Sequence, residues 1–462
     1  MTHQEVRIEK IGGTSMTRFA EVIHNIILRD PDDVYNRVFV VSAYGGVTND
    51  LLENKKTRAP GIYKIFEEQG DYSNAMAALK SRLCEMNRRY VEIGLDVAAA
   101  DRFLTERMDS SVNILKSIQE VLGSGYVNRH EMLLAAREIL ASIGEMQSAF
   151  NSANILKNRG YQSAFVDLSG WGDAREMTID QRIKDVFRSI DPSRTICFAT
   201  GYAKGTEGIM REFDRGYSEV TFSKVAVILK AQEAIIHKEF HLCSGDPAVV
   251  GEKNARPVCF TNFDVADQLA DVGMEAIHPK ASKPLELNRI PIRVKNAFDP
   301  HHPGTLITKD YIRPESKTEV VAGTEKVTYV EVHDPRMVGE VGFDLKIMQV
   351  LADNCASYVN KVTNANTIGI TIADKDVSEK LVRDLKEKFE MVTVEKVALV
   401  CAIGSNIAKP GMLAQAAGAL AEAKINIMAV SQPARQTNMQ FVVSRESCRE
   451  AQRALHRALC ES

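Results

Sequence analysis

"RIEKIGGTSM", Arg7 to Met16, decides how the chain begins to fold. A strand-forming run reaches Lys10 and Ile11, meets the pair Gly12-Gly13, passes Thr14 and Ser15, and opens a helix. That helix carries Phe19, Val22, Ile23, Ile26 and Ile27 on one face, at the 3.6-residue spacing of an amphipathic segment. A strand feeding a helix through a glycine turn is the repeating unit of an α/β sheet. The turn itself has two readings. It is an ordinary tight connection, or it is an anion cradle in which backbone N–H groups, the Thr14 and Ser15 hydroxyls and the Lys10 ammonium gather round a phosphate. The Walker pattern G-x-x-x-x-G-K-[ST] is absent, so the chain is not a P-loop enzyme.

The next unit repeats this logic. "RVFVVSA" (Arg37 to Ala43) suits a strand buried on both faces and ends in "YGGVTNDLL". Ser42 and Thr48 flank that turn as anion-binding hydroxyls or as parts of a capped loop. Residues from about 60 to 158 read as mainly helical. The apolar runs "TICFATG", "VAVILKA", "EAIIH" and "IPIRVKN" then restore the α/β alternation to about residue 308. This predicts a mostly parallel sheet covered by helices on both faces.

"KDYIRPESKTE" (Lys309 to Glu319) is polar and marks a linker over 309–320. Beyond it two βαββα units follow one another, over 321–390 and 391–462, which predicts a tandem repeat of small α+β modules. In the second, Pro410 fits the first turn of a helix with a face of small residues.

The bulk numbers exclude several classes. A net charge of -3 gives no electrostatic attraction to nucleic acid or an anionic membrane. No apolar run approaches the roughly 20 residues that span a bilayer, and Glu5, Arg7, Glu9 and Lys10 interrupt any signal-peptide core. The expected location is cytoplasmic. Eight cysteines without a C-x-x-C pair or a histidine at finger spacing predict reduced thiols and no structural zinc.

Two further stretches hold candidate chemistry. "EGIMREFDRGYSE" crowds Asp214, Arg215, Ser218 and Glu219 into one loop. An arginine among carboxylates is a solvated ion pair or a two-pronged grip on a substrate carboxylate. Acidic groups beside a phosphate site suit Mg²⁺ carried largely by phosphate oxygens. Glu145 lies on a helix with apolar positions Ile139, Ile143, Met146 and Phe150; periodicity sets it off that face, toward solvent. His301-His302, in "FDPHHPGT", reads as exposed loop and not as a metal site.

These stretches, in this order and over nearly the whole chain, resemble the aspartokinases. "KIGGTSM" is similar to their K-F-G-G-T-S signature, and "VVSAYGGVTNDL" to V-S-A-x-x-G-x-T-N-L. "ATGYAKGTEG" with "DRGYSE" resembles their T-G-F…G-R-G-G-S-D segment. "AIHPKA" and "IPIRVKNAFDPHHPGTLI" resemble the close of the kinase domain, and the repeats resemble paired ACT modules. The resemblance implies the amino acid kinase fold, a three-layer αβα sandwich over residues 1–308, followed by two ferredoxin-like βαββαβ ACT modules. It implies phosphoryl transfer from ATP, with Mg²⁺ on the phosphates, to the β-carboxylate of L-aspartate.

Matched residue by residue, Lys10 stands for the lysine that stabilises the transferring phosphate, and Gly12 and Gly13 for the phosphate-contacting turn. Ser42, Thr48 and Ser218 fall at substrate positions. Glu145 matches the glutamate that receives the substrate amino group, and Arg215 the arginine on its α-carboxylate. Glu219 stands where the family has aspartate. Asp246 and Pro247 remain from the nucleotide segment, but His237 and Lys238 replace Thr-Asp, Ala248 replaces arginine, and Tyr217 replaces glycine. These departures resemble the branch associated with ectoine synthesis. The paired ACT modules imply a homodimer or higher homo-oligomer and an amino-acid effector near "GFDLKIMQVL" and "GSNIAKPG". Three alternatives stay open: a general-pathway aspartokinase, another amino acid kinase acting on acetylglutamate, carbamate or a nucleotide, and a non-catalytic amino-acid sensor.

Overall fold

The computed structural model describes residues 6–54, 57–213, 216–274 and 276–461. The chain divides into two compact units, residues 1–241 with 277–304 and residues 242–276 with 305–462. The expected 1–308 span is therefore not one compact body, because 242–276 and 305–308 fall in the second unit.

The first unit is built on six parallel strands: β1 (Arg7–Ile11), β2 (Arg37–Val41), β3 (Ser163–Val166), β4 (Ile196–Thr200), β5 (Glu233–Lys238) and β7 (Ile292–Asn296). Their order is β3-β4-β2-β1-β5-β7. β2 and β4 are buried along their whole lengths, as unbroken apolar runs covered on both faces must be. The Arg129–Asn158 helix lies against β2, β3 and β4, and the Tyr217–Ile228 helix against β1, β2 and β5. The run "VAVILKA" is no strand. Val225 to Ile228 form the last turn of that second helix, apolar because it is packed on several sides.

The pleat sorts the side chains of β1. Successive residues point to opposite faces, so Arg7 and Glu9 face one way and Lys10 the other. On the Glu9 face, Arg37 of β2 bonds the Ile26 and Ile27 carbonyls, so the first helical segment covers that side.

In the second unit β6 (Phe260–Asn262) pairs in parallel with β8 (Thr305–Thr308). An antiparallel six-stranded sheet follows, of β9 (Val320–His333), β10 (Tyr358–Thr363), β11 (Thr367–Ala373), β12 (Met391–Ile403), β13 (Ala429–Ser431) and β14 (Asn438–Ser444), in the order β10-β11-β9-β12-β14-β13. The two modules interleave. Val327 to His333 of β9 pair with Met391 to Val397 of β12, whereas Val320 to Thr324 pair with Leu399 to Ile403. Val321 is accordingly buried in the core of the second module, and Val392 packs on the core of the first. Each module thus reaches the βαββαβ pattern, the second borrowing its sixth strand from residues 320–324. Strand β9 begins inside the span expected as linker.

Candidate active site

Lys10 leaves the C-terminal half of β1 with its Nζ 3.2 Å from Oε1 of Glu219. Glu219 is the third residue of the Tyr217–Ile228 helix, entered through Gly216 at a φ of 84°, a left-handed conformation that glycine adopts at little cost. The backbone N–H of His278 donates to the other carboxylate oxygen, Oε2, at 2.8 Å. Burial alone would raise the Glu219 pKa. The positive charges of Lys10 and Lys238, with the His278 hydrogen bond, outweigh burial and hold it below its ordinary value. The result is a buried, ionised carboxylate that fixes one lysine ammonium at the strand ends.

Beside this pair lies a hydroxyl cluster. The Ser42 N–H donates to the Ile11 carbonyl at 3.1 Å, tying the end of β2 to the end of β1. Ser42 Oγ is 3.1 Å from Ser218 Oγ, and the Ser148 hydroxyl donates to the Ser42 carbonyl at 2.9 Å. Gly201 closes the floor: a Cβ there would stand 2.5 Å from Ser218 Cβ, 2.9 Å from the Val41 carbonyl oxygen and 3.0 Å from Glu145 Oε1.

Glu145 is the main departure from the periodicity. It is 2% exposed, not solvated, because Leu140 to Ala149 are all buried. The helix packs on β2 to β4 on one side and on the Tyr72–Arg88 and Val97–Gly123 helices' bundle on the other, so it has no solvent face there. The backbone of Tyr202 bonds Glu145, yet its Oε2 has no hydrogen-bond partner among the described residues. Burial pushes its pKa well above the ordinary carboxylate value, against the opposing pull of Lys10 and the Tyr202 bond. A buried carboxylate with a free oxygen is a place for a cation.

The glycine turn holds the two loops together. A Cβ on Gly13 would lie 2.7 Å from the Ala43 carbonyl oxygen, so only glycine admits that approach. Thr17, which sequence reasoning passed over, completes the link by accepting the Gly45 N–H at 2.8 Å and donating to the Gly13 carbonyl at 3.1 Å. Gly12 has an ordinary extended backbone, φ -71°.

Other sequence candidates stand apart. Thr14 is exposed, and Thr48, half-buried in the short Val47–Leu51 helix, makes no side-chain hydrogen bond among the described residues. Asp246 belongs to the second unit, where its exposed carboxylate caps the Pro247–Val250 turn through the Ala248 N–H at 2.9 Å. Arg215 and Asp214 lie outside the described residues. Tyr217 is buried, its ring edge-on to Tyr202 and its hydroxyl 3.5 Å from the Ala141 carbonyl oxygen. His278 and Gly201 were legible only as members of quoted motifs. No cluster of three or more metal-binding side chains occurs among the described residues, and no helix there is long and apolar enough to cross a membrane.

His237 has turned away from the strand ends. It sits in β5, 4% exposed, with Nε2 2.7 Å from Glu9 Oε2, while Arg37 Nε donates to Glu9 Oε1 at 2.5 Å.

The comparisons with known proteins agree with this architecture. The sequence model of the Amino acid kinase family matches residues 5–296, and that of an ACT domain matches 400–459. Aspartate kinase Ask_Ect of Stutzerimonas stutzeri (strain A1501) is 42% identical, over 98% of this chain and 97% of its own. Aspartokinase 1, chloroplastic, of Arabidopsis thaliana is 26% identical over 98% and 80%. In fold, the chain is similar to Clostridium acetobutylicum aspartate kinase (TM-score 0.73, 19% identity, 98% of this chain and 100% of that one). It is equally similar to E. coli aspartokinase III in complex with aspartate and ADP (TM-score 0.72, 20% identity, 98% and 100%). The chain belongs to the amino acid kinase family, as an aspartate kinase carrying C-terminal ACT modules.

Proposed function

We propose that this protein transfers the γ-phosphoryl group of ATP to the β-carboxylate of L-aspartate, with the residues around Lys10 and Glu145 as its active site. The observation that carries the reading is Glu145: a buried carboxylate whose Oε2 lacks a protein partner, beside hydroxyls and one fixed lysine. An α-ammonium group supplies the cation that this oxygen requires. Ser42 and Ser218 offer hydroxyls to the substrate, and Arg215, by resemblance, takes the α-carboxylate.

The chemistry needs little else. An aspartate side chain, with an ordinary pKa of about 3.9, is already an ionised nucleophile at neutral pH, so no general base is required. Catalysis rests on positioning and on charge stabilisation as the phosphoryl group moves. Lys10 is aimed at the developing charge, and Glu219 fixes its position. Mg²⁺, when bound, neutralises phosphate charge; among the described residues no cluster of three or more metal-binding side chains occurs, which suits a cation held mainly by nucleotide oxygens, and Glu219 is the carboxylate bonded to Lys10.

The resemblance to the ectoine-associated branch, and the name of the Stutzerimonas relative, support a role supplying aspartyl phosphate for that solute. A related fold, E. coli aspartokinase III, has been solved in complex with lysine and aspartate, which supports an amino-acid effector at the ACT modules here. Exposed Tyr358, Met391, Val394 and Val430 on the six-stranded sheet support pairing of two copies.

An ATP-dependent hydroxamate assay with L-aspartate, glutamate and acetylglutamate tests the reading. Signal is expected with aspartate only; no aspartate turnover by the wild type overturns it. Isothermal titration with lysine, threonine and ectoine tests the effector, and three silent titrations sink it.

A further inference from the structure

The Arg129–Asn158 helix carries a second carboxylate that faces the same way as Glu145. Glu138 precedes Glu145 by seven residues, two helical turns less about 20°. The two side chains therefore leave one side of the helix, about 10 Å apart along its axis.

Both carboxylates act on one residue, Tyr202, which follows β4 and is buried. The Tyr202 hydroxyl donates to Oε2 of Glu138. The Tyr202 backbone bonds Glu145. A Cβ on the preceding Gly201 would stand 3.0 Å from Glu145 Oε1, so the chain at 201–202 lies directly against that carboxylate. What fixes Tyr202 also fixes the floor under Glu145.

The other oxygen of Glu138 is used as well. The Met210 N–H, in the short Ile209–Glu212 helix, donates to Oε1 at 2.7 Å. Glu138 thereby ties the two ends of segment 202–210 to the helix that bears Glu145. Both donors are neutral. An ionised carboxylate accepts on two oxygens and carries no competing donor, which suits it to this double grip. Burial is the largest influence on Glu138 and raises its pKa, so a charge is held here against desolvation to serve neutral groups. Burial, and then the charge of Glu138, push the Tyr202 pKa well above its ordinary value, so its hydroxyl stays a donor.

Tyr202 carries the constraint a second way. Its ring lies edge-on to that of Tyr217, with 6.1 Å between centroids, and Tyr217 leads directly into Ser218 and Glu219.

We infer that Glu138 is a positioning residue of the aspartate site: it anchors the Tyr202 side chain, and Tyr202 in turn holds the Glu145 carboxylate so that Oε2 is left for the substrate ammonium. The inference rests on the reading of Glu145 as the ammonium-binding group. Glu138 acts through Tyr202, so its loss falls on aspartate recognition and spares ATP.

The test is steady-state kinetics on the full-length protein, with aspartate and ATP varied separately. Tyr202→Phe removes one hydroxyl and keeps the ring. Its KM for aspartate is expected to rise about fivefold, the scale of one hydrogen bond, with the KM for ATP unchanged. Glu138→Ala, which frees Met210 as well, is expected to raise the aspartate KM at least about tenfold. Glu138→Gln keeps an oxygen for Met210 and an N–H for the tyrosine hydroxyl, and is expected to recover most of that loss. The double variant Glu138→Ala/Tyr202→Phe is expected to be no worse than Glu138→Ala alone, because both changes break one link. Thermal melting checks folding, and Tyr202→Phe decides the question if Glu138→Ala does not fold. An unchanged aspartate KM in folded Tyr202→Phe overturns the inference, as do equal rises for aspartate and ATP or additive losses in the double variant. Glu145→Gln run alongside separates the two readings. If it leaves the aspartate KM unchanged, the ammonium assignment itself fails; if it raises that KM and Tyr202→Phe does not, only the positioning role fails.

Discussion

Lys10 and Glu219, 209 positions apart in sequence, meet at 3.2 Å with both side chains nearly buried. The strand delivers the lysine and the helix after Gly216 delivers the acid. The pair has a functional consequence. Lys10→Ala is expected to lower kcat at least about 100-fold with aspartate, the scale of removing one transition-state charge contact. Lys10→Arg is not expected to restore it, because a planar guanidinium does not replace a compact ammonium at a point contact. Steady-state kinetics on folded protein checks both.

Glu145→Gln keeps shape and removes the charge that the substrate ammonium needs. The KM for aspartate is expected to rise at least about tenfold, equivalent to ~1.4 kcal/mol, with the KM for ATP little changed. Melting temperature is expected to hold or rise, since an uncompensated buried charge has been removed. The same residue sets a pH trend. Its pKa is raised by burial, so protonation begins at higher pH than for an ordinary carboxylate and the aspartate KM of the wild type climbs on acidification. The glutamine variant is expected to show a flatter profile.

How much of this was legible in the sequence differs by residue. The parallel strands were readable because apolar runs such as Val38 to Val41 are buried on both faces. Glu145 misled because periodicity assumes that a helix has one wet face, and this one has none around Gly144. A Cβ at Gly144 would lie 2.7 Å from Ala43 Cβ. The interleaving of β9 and β12 was also hidden, since strand exchange between neighbouring repeats leaves local patterns unchanged. His237 was visible only as an oddity at a strand end. Its partner Glu9 is 228 positions away and declares itself only once β1 and β5 are paired.

The Glu9–His237 bond predicts a pH dependence of stability. Glu9 titrates below its ordinary value of 4.5 in the folded protein, and His237 below its ordinary value of 6.5. For both groups the unfolded chain binds the proton first. Their contribution is therefore complete above the unfolded His value and is lost as pH falls, first through His237 and then through Glu9. The unfolding free energy of the wild type, from urea titrations, is expected to drop between about pH 7 and about pH 5, by up to about 1.4 kcal/mol per pH unit for one proton. His237→Gln, which retains a donor to Glu9, is expected to flatten the upper part of that slope. A variant with an unchanged slope would remove His237 from the account.

Gly201→Ala tests the packing beneath the substrate hydroxyls. The added methyl meets Ser218 Cβ at 2.5 Å and the Val41 carbonyl oxygen at 2.9 Å, neither of which is a flexible tip. Overpacking of this kind costs about 1–3 kcal/mol. Because Ser218 precedes Glu219, the displacement is expected to reduce kcat as well as the melting temperature. A folded, fully active alanine variant would show that the strand-end floor yields more easily than its contacts indicate.

Val321 tests the borrowed strand. It is fully buried in the core of the second ACT module, although it precedes the whole of the first in sequence. Val321→Ala leaves a cavity costing ~1–3 kcal/mol, and Val321→Asp buries a charge without a partner and costs more. If residues 320–324 complete the second module, hydrogen-exchange protection is expected to fall in β12 from Leu399 to Ile403 and in β14. Protection of Ile368 to Ile372, in the first module's core, is expected to persist. Loss of protection confined to the first module would instead assign the strand to its sequence neighbours.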